Sequence, residues 1–176
     1  PAIAGEVAAR RLDLGVISLP LPADLRVDGH PAETALHIEP LVDQPDVLIC
    51  PPDHRLARRR RADLADLAGE PLLLLDRSTA SRAWLERRFA AARVRPHVIM
   101  EMSSVEVLKR LVELGFGLSI IPACAAVGRL AVVELSGLGK PRRVGIVTPT
   151  TGPLSRAARA FIEVARELPA KKGTRT

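Results

Sequence analysis

The run Glu101–Pro122, EMSSVEVLKRLVELGFGLSIIP, decides how the chain is read. It parses as the end of a strand, a helix, a glycine turn and a second strand. Ser103 and Glu106 have capping-box spacing: the hydroxyl accepts from the N–H three residues on, and the carboxylate reaches back. Over Ser104–Leu114, Val105, Leu108 and Val112 form an apolar stripe, widened by Val107, Leu111 and Leu114. Glu106 with Arg110, and Lys109 with Glu113, fit i,i+4 ion pairs on the solvent side. Gly115 falls where a left-handed residue ends a helix. Leu118–Ile121 is a short apolar strand closed by Pro122. The unit would place backbone N–H groups and two serine hydroxyls at a sheet edge, where a helix N-terminus can receive an anion. Taken alone, Ser103 reads more simply as a cap.

Outward from this run, strands and helices alternate. Ile3–Arg10 reads as the end of a short helix, Leu12–Ile17 as a strand, and Ser18–Pro22 as a proline-broken loop at its carboxyl end. Asp24–Glu33 reads as loop, Leu36–Val42 and Asp46–Cys50 as strands, and Pro51–Pro52 as a break. Arg55–Arg61 is expected to be an exposed loop and Asp63–Leu67 a helical turn. The leucine run Leu72–Leu75 reads as a buried strand. A helix follows over Ala80–Ala92, with Trp84, Leu85, Phe89 and Ala92 on one side, and then a strand over His97–Met102. After the central run come a small helix at Ala123–Val127 and strands at Leu130–Leu135 and Val144–Val147, then a linker over Thr148–Gly152. The last helix is expected to start at Pro153, bury Leu154, Ala158, Phe161, Ala165 and Leu168, and stop at Pro169. Ala170–Thr176 is expected to be disordered. This alternation gives an α/β fold with largely parallel sheet. The breaks at Pro51–Pro52 and Thr148–Gly152 mark out a lobe inserted within another, with a cleft between them as the place for a small ligand.

Composition narrows the function. The chain has 176 residues, 47% of them hydrophobic, which supports a folded core. Aromatic content is 2%, too little for a base-stacking platform. The net charge of +6 is concentrated at Arg55–Arg61 and in the tail. A solvated arginine-rich loop explains it better than nucleic-acid recognition, since no recognition-helix pattern accompanies it. Cys50 and Cys124 read as buried core thiols, with no metal-ligand spacing. No secretory signal or long apolar span is evident, so neither secretion nor a membrane is expected. The chain opens at Pro1 partway into a helix, as though the start of a longer protein lies outside it.

Catalytic patterns are absent. Gly115-Phe116-Gly117 begins like a dinucleotide fingerprint, but Ile120 stands where the third glycine belongs. His30, His37, His54 and His97 are scattered. Nothing in the spacing of Asp13 and Glu101 supports an acid/base pair. The expectation is no enzyme, no cofactor and no metal.

Five strings in order, LDLGVIS at Leu12–Ser18, VLICPPDHRLA at Val47–Ala57, DLAGEPLLLL at Asp66–Leu75, the run Ser103–Pro122 and LSRAARAFIEVARE at Leu154–Glu167, resemble the effector-binding domain of LysR-type transcriptional regulators. The resemblance implies a two-lobed, type II periplasmic-binding-protein-like fold. Residues 1–51 and 149–176 would form the first lobe, incomplete at its N-terminus, and residues 52–148 the inserted lobe. It further implies a small effector, such as a carboxylate, held between the lobes of a cytoplasmic, homo-oligomeric regulator. DNA would be bound only through an N-terminal helix-turn-helix outside this sequence, which should therefore not bind DNA specifically by itself. The first strand and helix of the first lobe, which carry the family's main anion site, would also lie outside it. By position, the ligand residues would be Ser18, Pro20, Ser78, Thr79, Ser103, Ser104, Phe116 and Gly117. Read singly, Ser78 and Thr79 are caps and Phe116 is core. The alternatives are a transporter's solute-binding protein or an enzyme on the same fold. A secretory leader would mark the first and measurable turnover the second.

Overall fold

A computed structural model describes residues 2–21, 25–27 and 29–167. In chain order the elements are α1 (Ala2–Ala8), β1 (Gly15–Leu19), β2 (Arg26–Val27), β3 (His30–Pro31), α2 (Ala32–Ala35), β4 (Leu36–Gln44), β5 (Asp46–Cys50), β6 (Arg61–Asp63), β7 (Pro71–Leu75), α3 (Ala80–Ala91), β8 (His97–Met102), α4 (Val105–Glu113), β9 (Ser119–Pro122), β10 (Ala131–Ser136), β11 (Arg142–Pro149) and α5 (Arg156–Glu167). Short 3-10 turns occupy Arg55–Arg58, Leu64–Leu67 and Ala123–Ala125. Pro1, Pro22, Asp24, Leu168, Pro169 and the tail Ala170–Thr176 lie outside the described residues. Contacts divide the chain into two units: residues up to Asp43 with those from Arg142 onward, and Gln44–Pro141.

In the first unit, β11 lies between β1 and β4. β1 and β11 are antiparallel, with Gly15 opposite Val147 and Leu19 opposite Arg143. Successive strand residues point to opposite faces. Val147 accordingly joins a cluster with Ala4, Val7, Leu21 and Leu36, while Ile146 packs with Ile162 and Ala165 of α5. Gly15 permits the close approach of α1, because a Cβ there would lie 2.5 Å from the Ile3 side chain. The inward face of α5 is Ala158, Ile162 and Ala165, and Phe161 is half exposed. Ala158 and Ala165 of the expected stripe face inward, but Ile162 rather than Phe161 lies between them. The helix also starts later than Pro153: the Ser155 hydroxyl accepts from Ala158 N–H.

In the second unit, the strand order is β6-β10-β5-β9, and β7 pairs with β8. The bridge Leu72–Leu118 connects the two sheets. Leu72 and Leu74 face the cluster of Trp84, Leu85 and Phe89 from α3, and Leu73 faces Leu108 and Val112 from α4. Burial on both faces explains an uninterrupted leucine run.

The expectation of mostly parallel sheet needs correction. β7/β8 and β6/β10 are parallel, but β5 is antiparallel to both its neighbours, β9 and β10, and β1/β11 and β2/β3 are antiparallel. Parallel neighbours need a helical crossover. β7-α3-β8 has one, whereas β5 takes as neighbours β9 and β10, which come much later in the chain.

The Arg55–Arg61 segment is likewise more than an exposed loop. Leu56 is fully buried, and Arg55 and Arg59 are tied to Glu70 and Asp66. Asp63 and Asp66 form a capping box. Cys50 is buried as expected, its thiol pushed up to about 11 by burial and by Asp53. Cys124 is exposed instead, in a shallow turn where Gln44 Nε2 reaches its sulfur at 3.7 Å.

Candidate functional site

The carboxyl ends of β7 and β8 lie side by side, with Leu75 opposite Met102 and Asp76 N–H donating to Met102 O at 2.9 Å. From these ends the chain turns into α3 and α4. The loop after β7 is fixed locally: Ser78 N–H donates to Asp76 Oδ1 at 2.8 Å, and Thr79 N–H and hydroxyl both donate to Asp76 O. Hydrogen bonds from Ser78 hold the Asp76 carboxyl below the usual carboxylate range. Thr79 caps α3, its hydroxyl oxygen accepting from Arg82 N–H at 3.2 Å.

After β8, Ser104 caps α4 by accepting from Val107 N–H at 3.4 Å. This corrects the capping box expected at Ser103: the helix starts one residue later. Ser103 is exposed. Glu106 is accordingly turned toward Lys109, with Nζ at 3.2 Å, and Arg110 pairs with Glu113. These i,i+3 pairs replace the expected i,i+4 pairs, and Lys109 is buried rather than solvent-facing. Val107 and Leu114 lie exposed outside the inward stripe.

The structure thus brings Ser78, Thr79, Ser103 and Ser104 to one edge of the second unit. Each first turn leaves backbone N–H groups without intrahelical acceptors, and both helix dipoles present their positive ends. Phe116 and Gly117 are not part of that edge. Leu118 N–H donates to Pro71 O at 2.8 Å, so the turn before β9 lies at the amino end of β7. That is the length of the strand away, about 13 Å at the usual rise. The reason is directional: α4 runs back along the sheet, so its start and its end sit at opposite edges. Phe116 is half exposed, and Gly117 is needed where a Cβ would stand 2.5 Å from Pro71 O. In the first unit, Ser18 lies within β1, opposite Val144, and Pro20 directly follows the strand. Ser18 thus belongs to the strand rather than to the expected loop, while Pro20 stands in the bend that follows it.

An ionic group that sequence reasoning missed underlies the edge. Arg82 is 2% exposed. Its Nη1 donates to Leu75 O at 3.0 Å, its Nη2 to Glu101 Oε1 at 2.9 Å, and its Nε lies 3.1 Å from Glu86. Arg77 Nε also donates to Glu101 Oε1, at 3.2 Å. Arg82 and then Arg77 hold the Glu101 carboxyl below its ordinary range. A carboxylate so held is poorly suited to general-acid work. The available sign was an arginine on the inward stripe of α3 with Leu85 and Phe89. Beside Arg82, a depression bordered by Asp46, Leu75, Ser81, Trp84 and Pro122 has room for about one water, roughly 10 Å³, and is not by itself a ligand seat. Among the described residues, no group of three or more His, Cys, Asp and Glu could hold a metal. No described helix is long and apolar enough to cross a membrane.

Comparison with known proteins gives this geometry a context. The model of the LysR substrate binding domain matches residues 1–170. The transcriptional regulator CbbR of Xanthobacter flavus is 37% identical over 136 residues, which cover 70% of this chain and 39% of that protein. The chain spans between 39% and 55% of the length of the first curated relatives it matches. The regulatory domain of Synechocystis CcmR, solved with 2-phosphoglycolate, superimposes with a TM-score of 0.79 at 21% identity, covering 97% of this chain and 79% of that one. The effector binding domain of QuiR in complex with shikimate gives 0.77 at 20% identity, covering 93% and 75%.

Proposed function

The chain belongs to the LysR substrate-binding domain family, and from that premise we propose that it is the effector-sensing domain of a LysR-type transcriptional regulator, with its anion seat at the Thr79/Ser104 edge. The observation that carries this reading is the adjacency of two capped helix N-termini at the carboxyl ends of parallel β7 and β8. Such termini bind carboxylates and phosphates through backbone N–H groups, with hydroxyls as auxiliary donors. The domain binds rather than turns over its ligand. The two solved neighbours described above hold shikimate and 2-phosphoglycolate, both anions, which supports a small anionic metabolite here.

In the longer regulator, effector binding shifts the populations of two arrangements and thereby changes DNA affinity, by no more than the effector's differential affinity for them. DNA is bound by a helix-turn-helix outside these residues, in a cytoplasmic homo-oligomer. The test is calorimetry of this chain with inorganic phosphate, 2-phosphoglycolate, shikimate and benzoate. Binding of at least one is expected, and Ser103→Ala should weaken it about tenfold, the size of one charge-assisted hydrogen bond, with thermal stability unchanged. No binding by any of the four, or binding indifferent to Ser103→Ala, overturns the assignment.

A further inference from the structure

We propose that Arg82 is a positioning residue for the anion edge: together with Glu101 and Arg77 it locks the loop after β7 and the loop after β8 into a single geometry. The proposal rests on the reading of that edge as the effector seat. Arg82 springs from the first turn of α3, immediately after the Thr79 cap. One arm of its guanidinium grips the last carbonyl of β7, at Leu75, and another grips Glu101 near the end of β8. Arg77, from the loop itself, closes on the same carboxylate oxygen. Beside this group, the Asp76 N–H to Met102 O bond ties the two strand ends through the backbone. A single backbone bond at a sheet edge frays easily, and a fork with donors in a fixed plane does not.

The cost of this arrangement points the same way. A guanidinium at 2% exposure has given up nearly all its hydration, and its buried Nε lacks a well-aligned hydrogen bond despite the nearby Glu86 carboxylate. Arg82 is buried while a third of the Glu101 side chain stays exposed, and desolvating one partner offsets much of what such a pair contributes to stability, so the arrangement is better explained by geometry. What the geometry fixes is the spacing of Thr79 and Ser104. Anion recognition by two helix termini depends on that spacing, since displacement by about an ångström costs much of a positioned interaction.

Glu101 is the residue to vary, because Arg82 is too deeply buried to remove without risk to folding. The 176-residue chain is compared with Glu101→Ala and Glu101→Gln. One readout is hydrogen exchange at the amides of Asp76, Ser78 and Thr79, and the other is calorimetric affinity for 2-phosphoglycolate and inorganic phosphate. Glu101→Ala should speed exchange at these amides about tenfold and weaken anion binding about tenfold. Glu101→Gln keeps an acceptor for Arg82 and should stay within about twofold on both. A purely structural carboxylate would show no such rescue at these amides. Unchanged exchange in Glu101→Ala, or failure of Glu101→Gln to restore it, overturns the positioning role while leaving the effector seat intact. Faster exchange with unaltered anion affinity likewise overturns the positioning role alone, whereas no anion binding by the unsubstituted chain overturns the seat itself and the positioning role with it.

Discussion

Arg82 and Glu101 show how a residue can read one way by type and act another way by place. The stripe Arg82, Leu85 and Phe89 is buried throughout, so the arginine occupies a core position and takes its partners from strand ends rather than solvent. Glu101 feels this directly. Its folded-state pKa lies below the ordinary 4.5 because Arg82 and Arg77 favour the ionised form. The carboxylate's stabilisation is therefore fully present above the unfolded pKa and fades as pH falls through the lower folded value. Urea midpoints measured from neutral pH down through pH about 3 should decline more steeply below 4.5 in the unsubstituted chain than in Glu101→Gln. Identical slopes would mean that the ion pair does not couple to folding. The sequence offers only a faint sign of this pair: Glu101 reads at most as half of an unsupported acid/base pair, and an arginine within an apolar stripe ordinarily reaches solvent by its long stem.

Among the elements, α3 and α4 were legible nearly to the residue, because each combines an apolar periodicity with a hydroxyl at its start. What the sequence left open was which of two neighbouring serines caps α4. Ser103 has glutamate three residues on, the expected signature, yet Ser104 has the capping geometry. The pairing of Glu106 with the buried Lys109 removed that glutamate from the capping box. Thr79→Ala and Ser104→Ala should each lower stability by about 1 kcal/mol, whereas Ser103→Ala should fall within about 0.5 kcal/mol of neutral. Chemical denaturation separates the cases, and equal losses at Ser103 and Ser104 would put the cap back at Ser103. Phe116 and Gly117 were grouped with the serines by family position alone. The running direction of α4, inferable from its place between two parallel strands, already argues for the opposite edge. Phe161 illustrates a different limit: Phe161 and Ile162 both continue the apolar pattern of α5, and only the packing against Ile146 shows that Ile162 faces inward.

For the whole molecule, the alternating pattern revealed the class, but not where one unit gives way to the other. Pro51–Pro52 looked like a boundary because prolines end strands, yet β5, which precedes them, packs between β10 and β9. Its contacts are with residues some seventy to ninety positions later, which no local pattern records. The change of unit instead falls between Asp43 and Gln44, and again between Pro141 and Arg142. The antiparallel pairing of β5 with β10 has a practical result. These are the first and last strands of the Gln44–Pro141 unit, so its entry and exit are neighbours, with Val47 opposite Glu134. On the other side of the cuts, Arg143 Nε is 2.9 Å from Asp43 Oδ1. Gln44–Pro141 should therefore survive excision as a free-standing polypeptide with a dispersed amide spectrum, and a collapsed spectrum would refute its autonomy. A few glycines joining Asp43 to Arg142 would then splice the remainder, making the insert a cassette that can be lifted out or grafted elsewhere.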